Sequence, residues 1–245
     1  CAVRRSSFRH LGKGGVTLSG GDRPNLVRAL NVAEDCEVCD FEHCQQTYCP
    51  AVSVSGCGNA VRRCYLHDSA HEAIGYSGNE HFIGWTEFCH VLRESQDCGA
   101  IYTGRDTSQL GTQIVGNRFH DFDTGDVTAV YFDDCDWGGE MIGNSVSDVY
   151  RVLLLGGGKL HRIVGNVAQG FTAGLHVDRR GMSWESFTSY GTGPDANWAL
   201  SCYQGAGAAF HPTNNPTWAA AYPEVLPALA AEPMEPRPNA LVRNL

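Results

Sequence analysis

The 245-residue chain has no run of about 18 consecutive apolar residues, the length a helix needs to cross a bilayer, so no membrane span is expected. Basic residues are few. Lys and Arg number 18 against 27 Asp and Glu, a formal net charge of -9. Nucleic-acid binders present a basic face, so no nucleic-acid partner is expected either. A phosphate-binding loop is also lacking: Gly156-Gly157-Gly158 runs into Lys159-Leu160, without the Lys-Ser/Thr pair such a loop requires. These glycines are read instead as letting a ligand or the tail approach the backbone. The single CxxC, Cys36 to Cys39, is followed by no second CxxC and no HxxxH. A zinc site on Cys36, Cys39, Cys44 and Cys49 is therefore the minor reading, and no metal ligands are assigned.

What is abundant is cysteine, 11 in all. Such density suggests an oxidising setting, extracellular or in the secretory pathway. The odd number leaves at least one thiol free or paired with another chain. The chain opens on Cys1 without a signal peptide and reads as a processed chain or a piece of a longer one, with further N-terminal coils or domains expected. Hydrophobic residues at 42% and charged residues at 18% exclude disorder over the whole length.

Laid on itself, the chain repeats. Ala51-Val52-Ser53-Val54-Ser55-Gly56 recurs from Ala73, Ala100, Ala129, Arg151 and Gly174, at spacings of 22, 27, 29, 22 and 23 residues. A second element follows each, ending in the Gly-Asn pairs Gly116-Asn117, Gly143-Asn144 and Gly165-Asn166. Cys36, Cys64 and Thr86 hold the Asn register in earlier copies. Short strands of period two, punctuated by Gly, Asn and Asp, cannot bury an apolar face alone, but stacked coils can. A β-sandwich would not keep one register through the copies, and the fixed Leu spacing of a leucine-rich repeat is absent. The expected fold is all-β: a right-handed parallel β-helix over 1–180, with an irregular Pro-rich C-terminal arm over 181–245. That arm is expected to cap the solenoid, with one short helix near 223–231 and with Trp184, Trp198, Trp218 and Tyr222 to bury.

Alternation assigns the faces. Val52, Ile74, Ile101, Val130, Val152 and Leu175 are expected in one buried column. Ser53, Gly75, Tyr102, Tyr131, Leu153 and His176 form the outward column, with Ser55, Ser77, Gly104, Asp133, Leu155 and Asp178 beyond it. The outward face thus changes from Ser and Gly to Tyr, Asp, His and Arg where the coils lengthen, and loops on a rigid scaffold are where sites are built.

Glycoside hydrolysis uses two carboxylates, about 5 Å apart for retention or roughly 6.5–9.5 Å for inversion. Coils stack about 4.8 Å apart, so neighbouring coils bring such pairs within range. Asp97, Asp106, Asp133 and Asp134 are the candidate catalytic acids. Tyr102, Arg105, Tyr131, His176, Asp178 and Arg179 are the candidate substrate-binding residues. Any one Asp at a strand end is more often a turn residue, and Arg105 and Arg179 also read as simple partners of the acids. No cofactor is assigned; Asp133-Asp134-Cys135-Asp136 leaves room for calcium without matching a known calcium loop.

The stretches HEAIGYSGNEHFI (71–83), DCGAIYTGRD (97–106), VYFDDCDWGG (130–139), LLLGGGKLHRIVGN (153–166) and LHVDRRG (175–181) resemble the right-handed β-helix glycosidase-like proteins, nearest glycoside hydrolase family 141. The likeness spans about residues 14–245. It implies fucosidase- or xylanase-type activity on a polysaccharide or oligosaccharide, with acids mapping to the Asp97–Asp106 stretch and to Asp133–Asp134. Cys64 and Thr86 depart from the Asn expected at those ladder positions. The first part of such proteins is missing from this chain. The rival readings are a polysaccharide lyase using Arg105, Arg179 or Lys159, and a non-catalytic carbohydrate-binding or structural solenoid.

Overall fold

The computed structural model describes residues 1–122, 125–183, 198–203 and 208–245. The chain is all-β, and its two sheets are built from parallel pairs. One sheet takes a three-residue strand from each successive turn of chain, from Ala2–Arg4 through Phe82–Gly84 to Arg162–Val164 and Ala240–Val242. The other holds two rows. Ser7–Arg9, Glu37–Phe41, Tyr65–Ser69, Glu87–Cys89 and Arg118–His120 form the first row. Val16–Gly20, Val52–Cys57, Ile74–Asn79, Cys98–Gly104 and Val127–Asp133 form the second. Both rows meet on the twelve-residue strand Ser145–Gly156, which in turn pairs with Val167–Asp178.

The corners explain the Gly-Asn pairs. Asp35, Arg63, Trp85, Gly116, Gly143 and Gly165 all take left-handed φ, between 52° and 65°, at the same position of successive turns. Gly, Asn and Asp adopt that region at least cost. The next residue forms the ladder. Asn144 Oδ1 accepts from the Asn117 backbone N–H at 2.9 Å and from its Nδ2 at 3.0 Å. Asn166 Oδ1 accepts from Asn144 in the same way, both at 2.9 Å. Thr86 continues the series by accepting from the Cys64 N–H. Cys36 and Cys64 are buried in the core as free thiols, and none of the eleven cysteines forms a disulfide. The oxidising setting therefore rests on cysteine number alone.

One column runs Val16, Val52, Ile74, Ile101, Val130, Leu153, Leu175. It is buried as far as Leu153, but Leu175, expected in the core, is exposed on the last strand of its sheet, where no further strand pairs beyond it among the described residues. Leu153 occupies the place expected for Val152, and the outward neighbour is Leu154 rather than Leu153. In the next outward column Gly156 replaces Leu155. A one-residue slip turns every side chain to the other face. The run Val152-Leu153-Leu154-Leu155 is buried throughout, so it offers no polar-apolar alternation to fix the phase.

Residues 181–245 are not solely an arm. The chain leaves the stack after Asp178 and returns, so that Ala240–Val242 lies in register on Arg162–Val164. Asn244 then extends the ladder, accepting from the Asn166 N–H at 3.0 Å. Among its described residues the excursion carries the short helices Arg180–Ser183, Pro216–Ala221 and Val225–Ala230 and a 3-10 turn at Trp198–Tyr203, where a single helix near 223–231 was expected. It is held by a second apolar cluster in which Trp218, Tyr222, Tyr203 and Val225 pack with Trp137 and Leu110 of the stack. Trp184 lies outside the described residues.

Candidate functional site

The outward column of the second row reads Ser53, Gly75, Tyr102, Tyr131, Leu154, His176. Tyr102 and Tyr131 meet edge to face, with ring centroids 5.5 Å apart. Tyr102 Oη donates to Asp133 Oδ2 at 2.7 Å. The other Asp133 oxygen accepts from Arg180, whose same nitrogen donates to Asp134 Oδ1 at 3.0 Å and to Tyr131 Oη at 3.4 Å. Arg180 also grips Asp178, Nη2 to Oδ2 at 2.6 Å. Arg105 Nε donates to Asp134 Oδ2 at 2.9 Å, and Tyr131 Oη donates to Asp97 Oδ1 at 3.3 Å. Asp97, Tyr102, Arg105, Tyr131, Asp133, Asp134 and Asp178 therefore belong to one network around a buried guanidinium.

Burial, and next the charge of Asp134, raise the Asp133 carboxyl above the usual carboxylate range, while Tyr102 and Arg180 pull it back. Burial also raises the Tyr102 and Tyr131 phenols. Both hydroxyls thus stay protonated and act as donors.

Three candidates fall elsewhere. Asp106 sits beyond the end of its strand, in a set with Ser108 and with Arg23 Nη1 at 3.3 Å. Arg179 is exposed and turns toward Met182 Sδ at 3.5 Å. His176 is exposed, 4.0 Å from Asp178 Oδ2, and Leu154 separates it from Tyr131 in the column. The calcium reading also changes. Arg180 fills the cation's place between Asp133 and Asp134, while Asp136 is fully buried and accepts from Gln109 instead. Lys159 is no lyase base on this face: it is buried, with Nζ on the Glu232 carbonyl and 5.5 Å from the Trp137 ring centre.

Two groups were not picked out from the sequence. Arg180 is one. Its backbone turns at the short helix Arg180–Ser183, which swings the side chain back across Gly156. Glu72 is the other. Beside Tyr102 runs a groove of about 440 Å³, lined by Tyr48, Ser53, Ser55, Glu72, Gly75, Ser77 and Gly104. A β-carbon on Gly75 would stand 2.9 Å from Glu72 Oε1, so the carboxyl occupies the space that a floor side chain would take. Glu72 Oε2 is buried without a hydrogen-bond partner, and burial pushes the acid up to about 7. Tyr48 forms the opposite wall, 6.4 Å from the Tyr102 ring. Its phenol is raised by burial and then by the charge of Glu72, with Asp133 adding to the rise. The bare outward Gly75 among Ser, Tyr and Tyr was the signal available for this acid.

No family model and no curated protein matches the chain. Among solved structures, trypsin-treated QnrB1, a plasmid-mediated fluoroquinolone resistance protein, is similar over 68% of this chain and 73% of that one. Identity is 13% and the TM-score 0.20, a likeness too slight to carry an argument.

Proposed function

We propose that the stack is a right-handed parallel β-helix, and that its groove takes a polysaccharide or oligosaccharide chain and hydrolyses it. Right-handedness is the near-universal sense of crossover between parallel strands. The observation that carries the hydrolase reading is Glu72: a carboxylic acid that keeps its proton near neutrality, with an unpartnered oxygen, over the floor of a groove walled by Tyr48 and Tyr102. Such an acid is suited to protonating a leaving glycosidic oxygen. Asp133, held by Tyr102 and Arg180, is the second carboxylate of this reading. Asp97 acts through Tyr131 as a positioning residue. The tyrosines supply stacking surfaces for sugar rings, and Ser53, Ser55 and Ser77 supply hydroxyl contacts.

Incubation with a panel of plant, algal and animal polysaccharides tests this, reading released reducing ends and ultraviolet-absorbing unsaturated products in parallel. Reducing ends without unsaturation are expected, abolished in Glu72→Gln and Asp133→Asn while circular dichroism is unchanged. Unsaturated products would replace hydrolysis by lyase chemistry. Binding without turnover would leave a non-catalytic carbohydrate module.

A further inference from the structure

A second constellation lies on the outer face of the first row of strands. Arg9, Cys39, His67, Cys89, His120 and Ser147 stack in one column, so thiol and imidazole alternate through four successive coils. Two residues upstream, the neighbouring column holds Ser7, Glu37, Tyr65, Glu87, Arg118 and Ser145. One pattern therefore occurs twice. Glu37-Val38-Cys39 is followed in the next coil by His67, and Glu87-Phe88-Cys89 by His120.

The ligand atoms of Glu37, Cys39 and His67 lie within 4.8 Å of one another. Asp68 Oδ2 holds His67 Nδ1 at 2.7 Å, which leaves Nε2 directed toward Glu37 Oε1 at 3.4 Å. The second copy repeats this, with Asp121 on His120 Nδ1 at 2.7 Å and Glu87 Oε1 on Nε2 at 2.8 Å. A carboxylate on the far imidazole nitrogen is the outer-shell arrangement that orients metal-binding histidines. Glu37 is prepared as well. Arg9 and Ser7 both bind its Oε2, which leaves Oε1 for a ligand. The Tyr65 ring stacks on His67 with centroids 4.0 Å apart and fixes the imidazole plane. Glu37 and Tyr65 also line a shallow groove of about 660 Å³. In the second copy Cys89 Sγ lies 3.2 Å from Tyr65 Oη, so its thiol is already engaged.

We propose that Glu37, Cys39 and His67 bind a divalent transition-metal ion of the zinc class, bridging two successive coils and leaving a fourth position for water. One thiolate, one imidazole and one carboxylate form a borderline-soft donor set, which suits zinc or cobalt and not calcium or magnesium. Cys36, the CxxC partner of Cys39, takes no part, because it is turned into the core. On binding, the Cys39 S–H bond breaks, its proton passes to solvent and the sulfur pair goes to the metal.

Titration of the reduced, metal-free chain with Co²⁺, followed by competition with Zn²⁺, tests the site. A thiolate-to-cobalt charge-transfer band in the near ultraviolet is expected, abolished by Zn²⁺ and absent in Cys39→Ser. Cys44→Ser and Cys89→Ser should retain it. Asp68→Asn leaves the ligands in place and should weaken binding about 10- to 100-fold. The absence of a thiolate band in the parent, or an undiminished band in Cys39→Ser, overturns the proposal. If Cys39→Ser fails to fold, unchanged affinity in both Glu37→Gln and Asp68→Asn overturns it equally.

Discussion

Arg180 lies directly across Gly156: a β-carbon on that glycine would stand 2.8 Å from the guanidinium carbon. The arginine reaches Asp133 and Asp134 only because this stretch of the stack has no side chain. In Gly156→Ala the guanidinium should therefore move off Asp133, and crowding at such contacts costs about 1–3 kcal/mol. Urea unfolding checks the stability, and turnover of a glycan in the groove should fall with it.

Removing the arginine should cost more. Arg180→Met leaves Asp133 buried beside Asp134 without its cation, while Asp134 keeps Arg105, a loss of about 3–5 kcal/mol at neutral pH. The Asp133 carboxyl, already raised, should rise further, so the folded variant holds a proton that its unfolded chain releases. The variant should accordingly recover stability as pH falls, and its deficit relative to the parent should be smallest in acid. A deficit independent of pH would mean that Arg180 acts through packing alone.

The ladder gives a third expectation. Asn144 serves both neighbours: its Oδ1 accepts from Asn117, and its Nδ2 donates to the Ile114 carbonyl and to Asn166, both at 2.9 Å. Asn144→Ala strands buried polar groups on two coils, each worth about 1–3 kcal/mol. A total near 3 kcal/mol or more in denaturant unfolding is expected. Asn144→Asp should be as harmful, because a carboxylate cannot donate to Ile114.

These features differ in how far sequence could reveal them. Gly116-Asn117, Gly143-Asn144 and Gly165-Asn166 were legible because the corner demands two residue types in fixed order, one for left-handed φ and one for the ladder. Asn244 was hidden, since the excursion separates it from Asn166 in the chain although the two are adjacent in the ladder. The Tyr102–Asp133 side of the site was legible as a change of residue type along one face. Arg180 was displaced by one, to Arg179, because strand alternation stops at Asp178, where the chain turns into a helix. Glu72 was hidden because it precedes its strand and enters the groove sideways over Gly75, which periodicity does not encode.

The shared column makes Ile101 a direct test of the register. It is fully buried between Ile74 and Val130. Ile101→Ala should cost about 2–5 kcal/mol, while Ile101→Val should cost about 0.5–1.5. Thermal or urea unfolding separates the two.

Glu72 sets the last expectation, and its sign is fixed by burial. The folded chain holds this proton up to about pH 7, whereas a solvated Glu loses it near 4.3. Below about pH 4 both states are protonated and the group contributes no pH dependence. Between the two values the folded state keeps a proton that the unfolded state has released, so stability falls as pH rises. Above about pH 8 the full penalty of ionising a buried acid is present, about 3 kcal/mol. Glu72→Gln removes that penalty. The variant should match the parent near pH 4 and exceed it by about 2–3 kcal/mol near pH 8.5 in urea unfolding. Glu42 is pushed up to about 8 by burial, with the charge of Glu72 adding to the rise, so its own slope remains in both proteins but is smaller in the variant, in the same direction as the expected gain. Hydrolysis should decline on the alkaline side of about pH 7 as Glu72 loses its proton, and it should be absent in the variant at every pH. A variant no more stable than the parent in alkali would mean that Glu72 ionises freely, and it would remove the acid from the groove's chemistry.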